Sequence, residues 1–394
     1  MNFKNMNKNK KILLHLSLIS GIGPKIVLKI IKKFFDDFSK KQINSQIRNL
    51  DINLTILYEY KITDLMQVFS LTENIAKKFY YGLQDYSNLE KELNLIEKHK
   101  IELLSFLDFD YPELLKEIYA PPIILYCRGM NILNNPKNIA VVGARKSNFY
   151  AKQVIENLIP ELILNDWQVV SGGAIGADCI AHEVTLNNNG KTVAVLGSGL
   201  LNLYPSSNEK LFEKIVENNG CLISPFSLQS PPDKGNFPAR NRIISGLSQG
   251  CLVVQAAKKS GALITAQFAL EQGRQVFAVP GSIYDELSLG CHEIIKQGAK
   301  IVSCIDDILE EFISIQKLEK KQTKDSEKNL KKVKPDSEVK SEEDLFLAYL
   351  NDPITIDELS LKTGLTLVDL QDKLFDLQLK GNIKQNFAGS WQRI

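Results

Sequence analysis

Apolar and polar positions along this chain follow two distinct rhythms. From residue 11 to about 110, apolar side chains recur at three- and four-residue spacing, as in IVLKIIKKFF and LEKELNLIEKHKIELLSFL. That spacing predicts amphipathic helices. From about 120 to 312 the apolar residues come instead in short unbroken runs: NIAVVGA, WQVVSGG, TVAVLGS, CLISP, GCLVVQA, QVFAVPG and AKIVSC. A strand without polar alternation has both faces covered, which describes a parallel sheet between two layers of helices. The stretches between these runs predict helices over about 148–164, 175–189, 206–218, 239–247, 261–273 and 290–298.

Two further segments complete the chain. In QKLEKKQTKDSEKNLKKVKPDSEVKSE, residues 316–342, apolar residues nearly vanish and both charge signs mix, as in a solvated tether. Residues 343–394 resume helical periodicity around Gly364 and end in NIKQNFAGSWQRI, a candidate hairpin. Helix, turn, helix and hairpin in that order fit a winged-helix domain. Its second helix carries Asp369, Asp372 and Asp376 against Lys373 and Lys380, a poor match for phosphate, so protein docking or capping of the fold is the better reading. The expected organisation is thus an N-terminal helical domain (1–110), an α/β core (111–315), a linker (316–342) and a winged-helix domain (343–394). Within the first, LISGIGPKIVLKII has the form of a helix-hairpin-helix turn, with Gly21 and Gly23 in the loop and Pro24 opening the next helix. A plain αα-hairpin has the same pattern.

Bulk composition adds little except by exclusion. Forty-eight Lys and Arg against 46 Asp and Glu leave a net charge of +2, so any basic site is local. Six scattered cysteines form no CxxC pair and no metal-ligand spacing, which points to buried free thiols in a reducing compartment. The start, KNKKILLHLSLISGIG, has a basic then apolar character, but His15 interrupts it and no small-residue cleavage site follows. No run reaches the roughly 18 apolar residues of a membrane span. A cytoplasmic protein is expected.

In a doubly wound sheet, ligands sit at the carboxyl ends of the strands, where helix N-termini point. After the first core run comes GARKS, with Arg145 over the strand ends. After the second, Ser171, Gly172, Gly173 and Gly176 form a glycine-rich loop whose amides could approach an anion closely. Asp178 and His182, four apart on the helix that follows, suit an Asp–His hydrogen bond better than a metal or acid–base pair, because no third ligand is evident. After the third run, GSGLLNLYP is not GxGxxG, and no acidic residue ends the next strand to hold a ribose, which disfavours a dinucleotide. After the fourth come Lys234 and Phe237 in a loop, then a helix presenting Arg240, Asn241 and Arg242. After the fifth, Ser260 and Gly261 open a helix that carries Thr265 one turn in. Several cations, helix openings and one aromatic ring, with no nucleophile–base pair, fit a polyphosphate strand with a base stacked on Phe237. Any single arginine could instead cap carbonyls or pair with Asp233 or Asp178.

The motifs SGGAIGADCIAH, GKTVAVLGSGLLNLYP, FPARNRIISGLS, SGALITAQFALEQGRQVFAVPG and LGCHEIIKQGA follow one another in a chain that closely resembles the DNA-processing protein A (DprA, or Smf) family over about 110–312. The resemblance implies an extended Rossmann-like core with a mostly parallel sheet, flanked by a SAM- or helix-hairpin-helix-like N-terminal domain and a winged helix. It implies a non-catalytic homodimer, without cofactor or metal, that binds single-stranded DNA and helps load the RecA recombinase during natural transformation. Carried over by motif, Arg145, Ser171, Gly173, Lys234, Phe237, Arg240 and Arg242 would line the single-strand site, positions that overlap those found by the strand-end rule. Four residues depart from the family pattern: Ala144 for Ser, Pro225 for Glu, Gln255 for Glu and His292 for Asn. Two other readings compete. One is a nucleotide-processing hydrolase, though VPGSIYDE stands where such enzymes carry PGGxGTxxE. The other is a nucleotide-sensing module.

Overall fold

The structure, a computed structural model, describes residues 6–41, 53–312 and scattered positions between 346 and 393. It divides into two compact units, Met1–Gln316 and Lys317–Ile394.

The larger unit is built on a nine-stranded sheet. Two strands that the sequence pattern does not announce, β1 (Glu102–Ser105) and β2 (Ile124–Gly129), form an antiparallel edge. The seven expected strands follow: β3 (Asn138–Val142), β4 (Gln168–Ser171), β5 (Thr192–Val195), β6 (Cys221–Ser224), β7 (Gly250–Val253), β8 (Gln275–Ala278) and β9 (Lys300–Ile301). The spatial order is β1-β2-β6-β5-β4-β3-β7-β8-β9, with every pair from β6 to β9 parallel. The chain runs from β3 out to β6, then returns to place β7 on the other side of β3. That reversal is a topological switch point.

Among the described residues, five α-helices precede the sheet: α1 (Lys8–Leu18), α2 (Pro24–Lys41), α3 (Ile62–Phe69), α4 (Glu73–Gln84) and α5 (Ser87–His99). Pro24 is the first residue of α2, and Gly21 turns the chain between α1 and α2 at φ +80°. Helix α5 stops at His99 because Lys100 takes a left-handed conformation, φ 51°, and its amide closes the last turn. The expected division at 110/111 falls inside the β1–β2 hairpin. The helices also share a hydrophobic core with the sheet: Leu13, Ile30, Phe79 and Leu89 cluster with Ala194, Leu196 and Leu222. Glu92 of α5, itself buried, accepts a hydrogen bond from the Leu228 amide at 2.7 Å.

Further helices among the described residues include α6 (Glu113–Lys116), α7 (Phe149–Leu164), α8 (Ala177–Asn187), α9 (Glu209–Glu217), α10 (Asn236–Gly246), α11 (Gly261–Glu271) and α12 (Leu289–Lys296). Residues of α6, α10, α11 and α12 cover one face of the sheet, packing on Ala140, Val142, Val195 and Ile223. Helices α7 and α8 cover Ile139, Val141 and Val169 on the other. Helix α10 starts three residues before the expected 239, which puts Phe237 on the helix rather than in a loop. Four cysteines are buried as expected, but Cys304 is exposed and Cys179 half-buried. Among the described residues, no helix is long and apolar enough to cross a membrane.

In the smaller unit, Phe346, Leu350, Leu359, Leu370, Leu374 and Ile383 are buried together. Strand β10 (Ile383–Gln385) pairs antiparallel with β11 (Trp391–Arg393). The expected linker, and most of the helices of the expected winged-helix domain, lie outside the described residues.

Candidate nucleic-acid interface

A cleft of about 670 Å³ opens at the carboxyl edge of β3 and β7, on the switch point. The turn after β3 lines it with Arg145 and Lys146; the loop before α10 and the first turns of that helix bring Lys234, Phe237 and Asn241. The start of α11 adds Ser260, Gly261 and Thr265. Arg145, Lys146 and Lys234 are exposed cations. The Arg145 guanidinium lies 5.5 Å from the centre of the Phe237 ring, and Tyr204 stands 5.7 Å from the same ring. Lys146 and Tyr204 were not singled out from sequence. Tyr204, 43% exposed, was legible as an aromatic next to a strand-end loop; Lys146 follows directly on Arg145.

The glycine-rich loop does something other than expected. Its amides are taken by the protein's own carboxylate. Asp178 Oδ2 accepts from the Ala174 amide, and a hydrogen bond from the Gly172 amide also favours its charged form. Burial pushes the Asp178 carboxyl up, and the Arg240 charge and these donors act against that rise. Ser171 is fully buried and donates to the Val141 carbonyl at 2.6 Å. A side chain at Gly172 would meet Asp178 Oδ2 at 2.7 Å and Arg240 Cζ at 2.9 Å. Gly173, at φ +65°, lies against Phe212. Ser171, Gly172 and Gly173 thus form the floor beneath the cleft and do not line it.

The two arginines of FPARNR part company. Two residues on a helix point about 200° apart. Arg240 turns inward and is only 5% exposed. It donates to the carbonyls of Gly172, at 2.5 Å, and Val195, and its Nε donates to Asn241 Oδ1 at 3.2 Å. Burial pushes its pKa down to about 10 in spite of the Asp178 charge. Arg242 leaves the cleft altogether and donates to the carbonyls of Tyr119 and Ala120, at 3.3 and 2.5 Å. Asn241 stays on the cleft side, its amide donating to the Gly261 carbonyl at 3.3 Å. Ser260 caps α11 by accepting from the Ala262 amide, and Thr265 is 2% exposed behind it.

The expected Asp178–His182 hydrogen bond does not form. Although the two share a helix face, His182 Nδ1 pairs with the Thr192 hydroxyl at 2.8 Å, while Asp178 turns to the loop amides. His182 is fully buried, and burial, reinforced by the Arg240 charge, pushes its pKa down to about 3 from an ordinary 6.5. The unfolded chain therefore binds the extra proton first. Stability from this group is complete above about pH 6.5 and is lost as pH falls toward 3, at about 1.4 kcal/mol per unit. Asp178, whose pKa is raised, works in the opposite sense, since the native state takes up its proton first. Urea midpoints at pH 7 and pH 5 should fall by more in the wild type than in His182→Gln; equal falls would remove the histidine from the account.

The family model for DNA recombination-mediator protein A matches residues 102–313, from β1 to the end of the sheet unit. The chain belongs to this family. It is 43% identical over 234 residues to DNA processing protein DprA of Streptococcus pneumoniae, covering 59% of this chain and 80% of that protein. It is 41% identical over 230 residues to DNA processing protein DprA of Bacillus subtilis, covering 58% of this chain and 77% of that one. The X-ray structure of the Streptococcus pneumoniae protein superposes with a TM-score of 0.64 at 34% identity, over 77% of this chain and 97% of that one. Two of the departures from the DprA pattern have visible consequences. The Gln255 amide donates to Asn148 at 2.9 Å and to the Asp285 carboxylate at 3.3 Å, where a glutamate would set two carboxylates face to face. His292 Nε2 pairs with the Gly281 carbonyl at 3.1 Å. Ala144 is buried and its carbonyl accepts from the Ala177 amide; nothing in the structure explains Pro225.

Proposed function

We propose that this family member binds single-stranded DNA in the cleft over β3 and β7 and acts as a non-catalytic mediator that hands the strand to a RecA-type recombinase, working as a homodimer. The observation that carries the reading is the convergence of Arg145, Lys146 and Lys234 with two aromatic rings, Phe237 and Tyr204, around one opening. Cations follow a phosphate backbone and rings accept unstacked bases, a combination that tolerates any sequence. The family's description as a recombination mediator supports the downstream role. Of the candidate ligand residues, Arg145, Lys234, Phe237, Asn241, Ser260, Gly261 and Thr265 remain proposed contacts. Ser171, Gly172, Gly173 and Arg240 become supports for them.

A nucleotide hydrolase or sensor is the weaker reading, because the glycine-rich amides that would hold its phosphate already hold Asp178. The deciding experiment is fluorescence anisotropy with labelled single- and double-stranded oligonucleotides at two salt concentrations. Single strands should bind more tightly. Arg145→Ala and Lys234→Ala should each flatten the plot of log affinity against log salt by about 0.7 per lost phosphate contact. Wild-type slopes in both variants would refute the site.

A further inference from the structure

Tyr119 is 75% exposed, yet the turn that carries it is held rigidly. Ala120 takes a left-handed conformation, φ 54°, which a non-glycine residue keeps only when its surroundings impose it. Arg242 supplies that constraint by donating to the carbonyls of both Tyr119 and Ala120. The buried Tyr111 hydroxyl donates to the Pro122 carbonyl at 2.8 Å and fixes the far end. Lys25, the second residue of α2, sets its ammonium 4.2 Å from the centre of the Tyr119 ring. An aromatic ring fixed in solvent with a cation beside it is the pairing used to hold a base next to its phosphate.

Its position in the fold gives it a partner. Strand β2 runs antiparallel to β6, so the residues just before β2 lie at the same edge of the sheet as the cleft. From β3, whose following turn carries Arg145, to β2 there are four steps in the strand order. At about 4.8 Å per step that is about 19 Å, the length of about six stacked nucleotides at 3.4 Å each.

We propose that Tyr119 and Lys25 form a second station for single-stranded nucleic acid, continuing the path that begins in the cleft, with Arg242 as the positioning residue that holds the Tyr119 turn. The station rests on the cleft reading above and deepens it: the N-terminal helices become part of the binding surface, and the site has a length.

The test compares labelled oligo-dT of four and of twelve nucleotides by anisotropy, using the full chain. The quantity read is the gain in affinity from the short to the long strand. Tyr119→Ala should cut that gain about tenfold, as alanine substitution of a stacking ring does, and Lys25→Ala should cut it less and mainly at low salt. Tyr119→Phe should keep it. An undiminished gain in both Tyr119→Ala and Lys25→Ala overturns the second station, and loss of it in Tyr119→Phe overturns stacking as its basis. If Arg145→Ala weakens the short strand in the same experiment, the cleft reading stands on its own. If the wild type binds neither strand, both fall.

Discussion

Replacing Arg240 by alanine should lower the unfolding free energy by about 3–5 kcal/mol, the range for removing one member of a buried charged pair. The size follows from what is left behind. The carbonyls of Gly172 and Val195 lose their donor, and the Asp178 carboxylate stays buried without the charge that offsets its desolvation. Guanidinium denaturation monitored by circular dichroism reads the effect as a lower midpoint with an unchanged slope. The double variant Arg240→Ala with Asp178→Asn should regain part of the loss, because the stranded charge is gone and the amide oxygen still accepts from the loop. If the double variant is less stable than the sum of its singles, the two residues are not partners. Single-strand affinity of whatever protein remains folded should change less than in Arg145→Ala, since Arg240, although on the cleft wall, is 5% exposed and spends its donors on the protein's own carbonyls.

Gly176→Ala should cost about 3 kcal/mol, at the upper end of the cost of a residue held in a glycine-only conformation. Gly176 sits at φ +89° and ψ −131°, and a Cβ there would strike the carbonyl oxygens of Ala144 and, at 2.5 Å, Arg145. The backbone cannot simply draw back, because the Ala177 amide is bonded to the Ala144 carbonyl. What moves is the turn carrying Arg145 and Lys146. The variant should therefore lose thermal stability and, well below its melting point, lose about as much single-strand affinity as Arg145→Ala. Gly261→Ala is the matched comparison: a Cβ there meets nothing within 4 Å, and its melting temperature should hold or rise. Equal melting temperatures for the two variants would show that the 144–145 turn yields freely.

These contrasts explain what the sequence could and could not convey. The strands β3 to β8 are legible because interior strands are apolar on both faces, as in VVGA, VVSG and LVVQ. The edge hairpin is not legible, because β1 is four residues long and ELLS continues the leucine spacing of α5 without a glycine or proline to mark the break at Lys100. At the site, the strand-end rule finds the right edge of the sheet and brings Arg145, Lys234, Phe237, Asn241 and Thr265 to one opening. It cannot tell a residue that lines the opening from one that supports it. The crowding of Lys234, Arg240 and Arg242 in sequence dissolves in space: one faces the cleft, one is buried against an internal anion, and one fastens a distant turn. Helical phase would have separated the two arginines, but only the fold shows which of them faces inward.

The internal carboxylate in the glycine-rich loop bears on how such a protein coexists with the metabolites around it. A free mononucleotide offers one compact cluster of charge and would have to evict Asp178 to seat it on those amides. A long polymer needs no such vacancy; it gathers many weak holds along an open ledge. On the proposed reading, a molecule that keeps its own anion on those amides gives small phosphates little to grip and leaves the advantage to chain length.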